Sequence, residues 1–149
     1  DYKQALSLHM EALEIYRVKL GDYNSHAIDT KFRIGQILSL LNGLEESLDF
    51  LCQSMDMRKA VLGEAHPSVA DVRVWIADIL RRKGHQKEAL KESKRALKGF
   101  RDAYGDEHPS VASAVESIAS IYAEMGDHKK ADSILAEIVN LRVAVDGDG

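Results

Sequence analysis

Apolar and polar positions follow one another along this chain at the spacing of amphipathic helices. Val69, Val72, Ile76, Ile79, Leu80 and Lys83 share one stripe, while Asp71, Asp78 and Arg81 fall elsewhere on the same turn pattern. Pro67 stands where the first turn of that helix begins, a place where its missing N–H costs nothing. Gly84 stands where the helix should stop. Its counterparts, Gly126 and Asn42, are the residue types that best tolerate a left-handed backbone. A second helix is predicted from roughly Gln86 to Tyr104, with Ala89, Ser93, Ala96, Leu97 and Phe100 along one face. Leu44 to Leu62 and His128 to Val145 are its equivalents. Tyr2 to Leu20, carrying Ala5, Leu8, Ala12 and Ile15, reads as the second helix of an earlier pair whose first helix is absent. The pattern predicts an all-α chain of about seven helices.

These helices recur at a fixed interval. Gly21, Gly63 and Gly105 are 42 residues apart, each after a large side chain: Leu20, Leu62 and Tyr104. Gly63-Glu64-Ala65-His66-Pro67-Ser68-Val69-Ala70 and Gly105-Asp106-Glu107-His108-Pro109-Ser110-Val111-Ala112 open two copies almost identically. A period in this range marks an array of supersecondary units, each needing its neighbour to bury its apolar face. Residues 1–149 are read as one array: 1–20 a truncated unit, then full units at 21–62, 63–104 and 105–146, with 147–149 opening a further one. The array is thus expected to be cut at both ends. Gly35, Ala77 and Ala119 align in the first helices; Ala5, Ser47, Ala89 and Ala131 align in the second, joined by Ala12, Ser54 and Ala96. Small residues at matched places let two antiparallel helices approach closely.

Composition narrows the function classes. Twenty basic residues against 24 acidic ones give a net charge of −4, without the basic face that nucleic acid requires. No apolar run approaches the ~20 residues of a membrane-spanning helix, so no membrane insertion is expected. Cys52 is the only cysteine, which excludes an intrachain disulfide and makes a cytoplasmic location the default. The phosphate-loop, nucleophile-elbow and metalloprotease motifs are all missing, so neither catalysis nor a cofactor is expected. His66 and His108 precede prolines in equivalent loops, and His85 and His128 open second helices. None forms the i, i+4 pair of a helical zinc site, so no metal is expected. Met10, Met55, Met57 and Met125 read as core filling.

The turn-and-helix openings Gly84-His85-Gln86-Lys87-Glu88-Ala89-Leu90 and Gly126-Asp127-His128-Lys129-Lys130-Ala131, with small residues at the offsets above, resemble the tetratricopeptide repeat. The period exceeds that family's usual ~34 residues, and the excess lies in the loop before the first helix. This long form, with its His-Pro loop, is similar to the repeats of kinesin light chains and related adaptors. The resemblance weakens in the first copy, where Asp22-Tyr23-Asn24-Ser25-His26-Ala27 replaces the His-Pro loop.

The resemblance implies a right-handed superhelical solenoid of antiparallel helix pairs, with the first helices lining a concave groove that holds a peptide or protein segment. By the same analogy the inner face presents Asp29, Phe32, Gln36 and Ser39, then Asp71, Val74, Asp78 and Arg81, then Ser113, Glu116, Ser120 and Ala123. Trp75 and Arg82 flank this face. Four acids against one base make the wall mildly acidic and imply a partner with some basic residues. Phe32 and Val74 are expected to form an apolar strip on the groove floor, although Phe32 could instead tuck under a neighbouring second helix. Trp75 could serve as an interface hot spot or pack between helices. The Asn pair by which kinesin light chains contact cargo is replaced by Phe32-Arg33, Val74-Trp75 and Glu116-Ser117. A second expectation is self-association as a homodimer through the first helix, whose Leu8, Ala12 and Ile15 lack half their cover.

Overall fold

The computed structural model describes residues 1–147, with side chains described through residue 140. Seven helices follow one another: α1 (Tyr2–Leu20), α2 (Ser25–Leu40), α3 (Leu44–Leu62), α4 (Pro67–Arg82), α5 (Gln86–Tyr104), α6 (Pro109–Glu124) and α7 (His128–Gly147). Each helix packs on the next, so that α2/α3, α4/α5 and α6/α7 form antiparallel pairs. The first helices meet directly across one repeat junction, α2 against α4. α7 runs through Gly147, where a further loop was expected to start; residues 148 and 149 lie outside the described residues.

Local chemistry sets these boundaries. His66 and His108 cap α4 and α6: the ring Nδ1 of each accepts from the backbone N–H of Ser68 or Ser110, at 3.1 Å in both cases. A proline follows each cap at the first helical position. In the first full repeat Asn24 performs the same task, its Oδ1 accepting from the Ala27 N–H at 2.9 Å. Asn42 takes φ +65° at the end of α2, as the glycines do at 84 and 126 with φ +86°.

The core divides by repeat junction. One apolar cluster gathers Leu51, Val72, Ile76 and Ile79; another gathers Ala70, Ala96, Phe100, Val111, Ala114, Val115 and Ile138. The serines of α3 enter the interior because α2 offers them acceptors. Ser47 Oγ donates to the Gly35 carbonyl at 2.6 Å, and Ser54 Oγ to the Ile28 carbonyl at 3.1 Å. The equivalent residues of α5, Ala89 and Ala96, are fully buried without needing any such partner. Two of the four methionines depart from the core-filling expectation: Met10 is 45% and Met125 40% exposed, because they sit on faces that no helix covers.

Candidate functional site

The face expected to be the inner one begins with the side chains that core packing leaves over. Asp29, Asp71, Ser113, Glu116 and Ser120 are exposed, while Gln36, Asp78 and Ala123 are half-buried. Ser39 does not belong with them. It is 1% exposed, since its place at the end of α2 is overlaid by Arg82 from the next repeat. Arg82 Nη1 donates to Ser39 Oγ at 2.8 Å and to the Ser39 carbonyl at 3.2 Å, and Nη2 donates to Asn42 Oδ1 at 3.1 Å. The last carbonyls of a helix have no partner of their own and carry partial negative charge, so a guanidinium satisfies them twice over.

Arg81 makes the matching contact in the other direction. Its Nη1 donates to Glu124 Oε1 at 2.6 Å and its Nη2 to Asp78 Oδ1 at 2.9 Å. These two charged hydrogen bonds hold its pKa above the usual guanidinium value. Adjacent arginines thereby tie the ends of α2, α4 and α6 together. Expected to meet a ligand, Ser39, Arg81 and Arg82 instead spend their polar groups joining consecutive repeats.

Phe32 is covered as well. The Arg58 guanidinium, from near the end of α3, lies 4.5 Å over its ring centroid. Arg58 is buried; its Nη1 donates to the Ser68 carbonyl at 2.8 Å, and its Nη2 reaches Asp29 Oδ1 at 3.4 Å. One repeat later the same two places hold Val74 and Phe100, an aliphatic–aromatic pair in the second apolar cluster. Phe32 packs against the first cluster and Val74 against the second, so they form separate plugs at successive junctions and not a continuous strip. Trp75 is half-buried against the first cluster, the inter-helix placement.

Buried arginines change the charge of the surface. Asp29 pairs with Arg58 and Asp78 with both Arg81 and Arg82. The acids that make the wall look negative are therefore largely neutralised by side chains from neighbouring helices. Asp71 stands apart: among the described residues it has neither a hydrogen bond nor an ion pair. Desolvation pushes its carboxyl above the ordinary carboxylate value, and Arg58 and His66 pull it only partly back. Beside it lies a recess of about 240 Å³ lined by Ser25, Ile28, Asp29, Arg58, Val61, Leu62 and Ser68.

Arg58 and Arg73 are the residues that sequence reasoning missed. Arg73, 4% exposed at its side chain, donates from Nη1 to Glu92 Oε2 at 2.7 Å across the α4/α5 pair. Its place on the helical wheel between Leu80 at the stripe's edge and the small Ala77 was the available signal. Burial, then nearby Asp56 and Asp49, push the Cys52 thiol up, away from the reactive thiolate. Among the described residues no group of three or more His, Cys, Asp or Glu is placed to hold a metal ion, and no helix is long and apolar enough to cross a membrane.

Comparison with known proteins gives this geometry its relatives. A family model of the tetratricopeptide repeat matches residues 1–60 and 68–142. The chain is similar in structure to BtubC (BKLC) from P. vanneervenii, with a TM-score of 0.89 at 18% identity over 98% of this chain and 58% of that one. It is also similar to the nearly identical TPR-like repeats of a protein described as a kinesin light chain from Podosopora anserina. There the TM-score is 0.85 at 17% identity, over 96% of this chain and 68% of the other. A third similar structure is Rap protein complexed with Competence and Sporulation Factor, with a TM-score of 0.78 at 21% identity over 93% and 37% of the respective chains. This chain thus spans little more than half of BtubC and about a third of Rap. No curated protein matches the sequence.

Proposed function

The chain belongs to the tetratricopeptide repeat family, and from that premise we propose that it is a non-catalytic interaction scaffold holding a segment of another protein against its first helices. The observation that carries this reading is the row of inner-face positions the fold leaves accessible in each repeat. Gln36, Asp71, Ser113 and Ser120 lie outside the apolar clusters, on the face of the first helices that family likeness makes the concave one. The complex of Rap with Competence and Sporulation Factor supports the same use of a similar solenoid. An adaptor role akin to that of kinesin light chains, in the cytoplasm where the free Cys52 thiol would stay reduced, is part of this proposal. Because most inner-face acids are already paired, a general preference for basic partners is not part of it.

The test is to fill the groove. Affinity capture of partners from cell extract is compared between the natural chain and Gln36→Arg/Ser120→Arg. Loss of the captured proteins supports the groove; their retention moves the interface to the convex face or the loops.

A second reading is favoured by α1, where Leu8 is 66%, Ile15 52% and Val18 74% exposed. Such a strip would suit association of two copies. Sedimentation velocity across a wide concentration range decides it, and a monomer throughout would remove this reading.

A further inference from the structure

The groove reading leaves the chemistry of the partner open, and one junction supplies it. Of the acids on the inner face, Asp29 is bonded to Arg58 and Asp78 to two arginines, and Glu116 is not free either. Among the described residues Asp71 is the acid of this face with neither a hydrogen bond nor an ion pair, with Arg58 and His66 acting on it only through space. Resting on the groove reading, we infer that Asp71 and the apolar recess next to it form a subsite for a partner segment that sets a lysine or arginine beside an aliphatic side chain.

The recess lies between the first two full repeats. Its apolar lining comes from Ile28, Val61 and Leu62, and its polar members Asp29 and Arg58 satisfy each other. Val61 and Leu62 are 57% and 49% exposed, although they end a helix whose other large apolar groups are mostly covered. A volume of about 240 Å³ exceeds the ~150 Å³ known to admit benzene, so a branched aliphatic or methionine side chain fits. Asp71 lies one turn beyond Ser68, a lining residue, and Trp75 one turn further along the same face of α4.

Charge decides the sign of the ligand. The ionisable groups that act on Asp71 are Arg58 and His66. Arg58 is buried and already engaged by Asp29, the Ser68 carbonyl and the Phe32 ring. An acidic ligand would have to displace Asp29 from a covered guanidinium while passing Asp71. A cationic one meets an exposed carboxylate that has no partner to lose. The subsite is confined to this junction: one repeat earlier the equivalent acid, Asp29, is paired, and one repeat later Ser113 is neutral.

A phage-displayed library of random octapeptides, panned on the whole 149-residue chain, tests this. Selected sequences are made with a fluorescent label and titrated by anisotropy. They should be enriched in Lys or Arg adjacent to Leu, Ile, Val or Met, and should weaken as salt is raised. Asp71→Asn should cost about tenfold or more in affinity and Asp71→Glu much less, while Leu62→Asp should also weaken binding. Binders without a basic residue, or binding unaltered by Asp71→Asn, overturn the subsite while leaving the groove reading intact. Binders that survive Gln36→Arg/Ser120→Arg as well overturn the groove reading, and failure to select any binder counts against both.

Discussion

Gly35 leaves no room for a side chain beneath Leu51: a Cβ at position 35 would stand 2.7 Å from both Cγ and Cδ2 of that leucine. The two residues set how closely α2 approaches α3. One repeat later the same places hold Ala77 and Ser93, so a methyl group on the first helix is matched by a smaller side chain on the second.

Gly35→Ala should therefore destabilise the chain. Helix propensity favours alanine by about 1 kcal/mol, but overpacking a closed interface costs about 1–3 kcal/mol, and the leucine atoms that clash include the branch point. Leu51→Ala alone should cost about 2–5 kcal/mol. In that background Gly35→Ala should become neutral or stabilising, which urea unfolding of the four variants measures.

The arginine clasp should govern how repeats open. Arg82→Ala removes the donors on the Ser39 and Asn42 acceptors, with an expected loss of about 1 kcal/mol, since Arg82 is partly exposed. Arg82→Lys should recover only part of it because an ammonium lacks the two-armed donor geometry. Amide hydrogen exchange should quicken at the last turn of α2 and leave α6 nearly unchanged.

Arg73 and Glu92 form a covered ion pair at 2.7 Å. Arg73→Met should cost about 3 kcal/mol by leaving the Glu92 carboxylate only its longer, more exposed contact to Arg95 at 3.5 Å. Arg73→Met/Glu92→Leu should regain most of that, as replaced buried pairs often do. Thermal unfolding followed by circular dichroism checks the order of the three.

The Asp71 carboxyl is held above the ordinary value by desolvation, with Arg58 and His66 opposing. A group with a raised folded pKa contributes stability that is fully present below its unfolded pKa and lost as pH rises through the folded one. The ionised form therefore disfavours the fold at neutral pH. Asp71→Asn should raise the urea midpoint at pH 7, and the gain should shrink as pH falls through the carboxylate range near ~4. A stabilising change that abolishes binding of a basic peptide would mark Asp71 as kept for recognition.

His66→Ala should cost about 1 kcal/mol by removing the acceptor for the Ser68 N–H, and His66→Asn should restore most of it. The same pair of substitutions at His108 should behave alike, because the Ser110 N–H is held at the same distance.

The residues that end and begin helices were legible because their signals are local. Tyr2–Leu20, Leu44–Leu62 and Gln86–Tyr104 occupy the expected stretches, and Asn42 adopts the left-handed backbone expected of it. The burial of Ser39 was not legible: its cover comes from Arg82, 43 residues away, and a helical wheel knows nothing of the neighbouring repeat. The same limit hid Arg58, which reaches 29 residues back to Asp29 and 10 forward to Ser68.

The sequence by itself thus determined the helices, their period and the family, since hydrophobic spacing, caps and turn glycines act within a few residues of the chain. Only the tertiary structure decided which inner-face groups remain available, because neutralising a charge or covering a ring requires a partner brought in by packing between repeats. That packing turned an acidic wall into a largely neutral one and left Asp71 as its unpaired carboxylate.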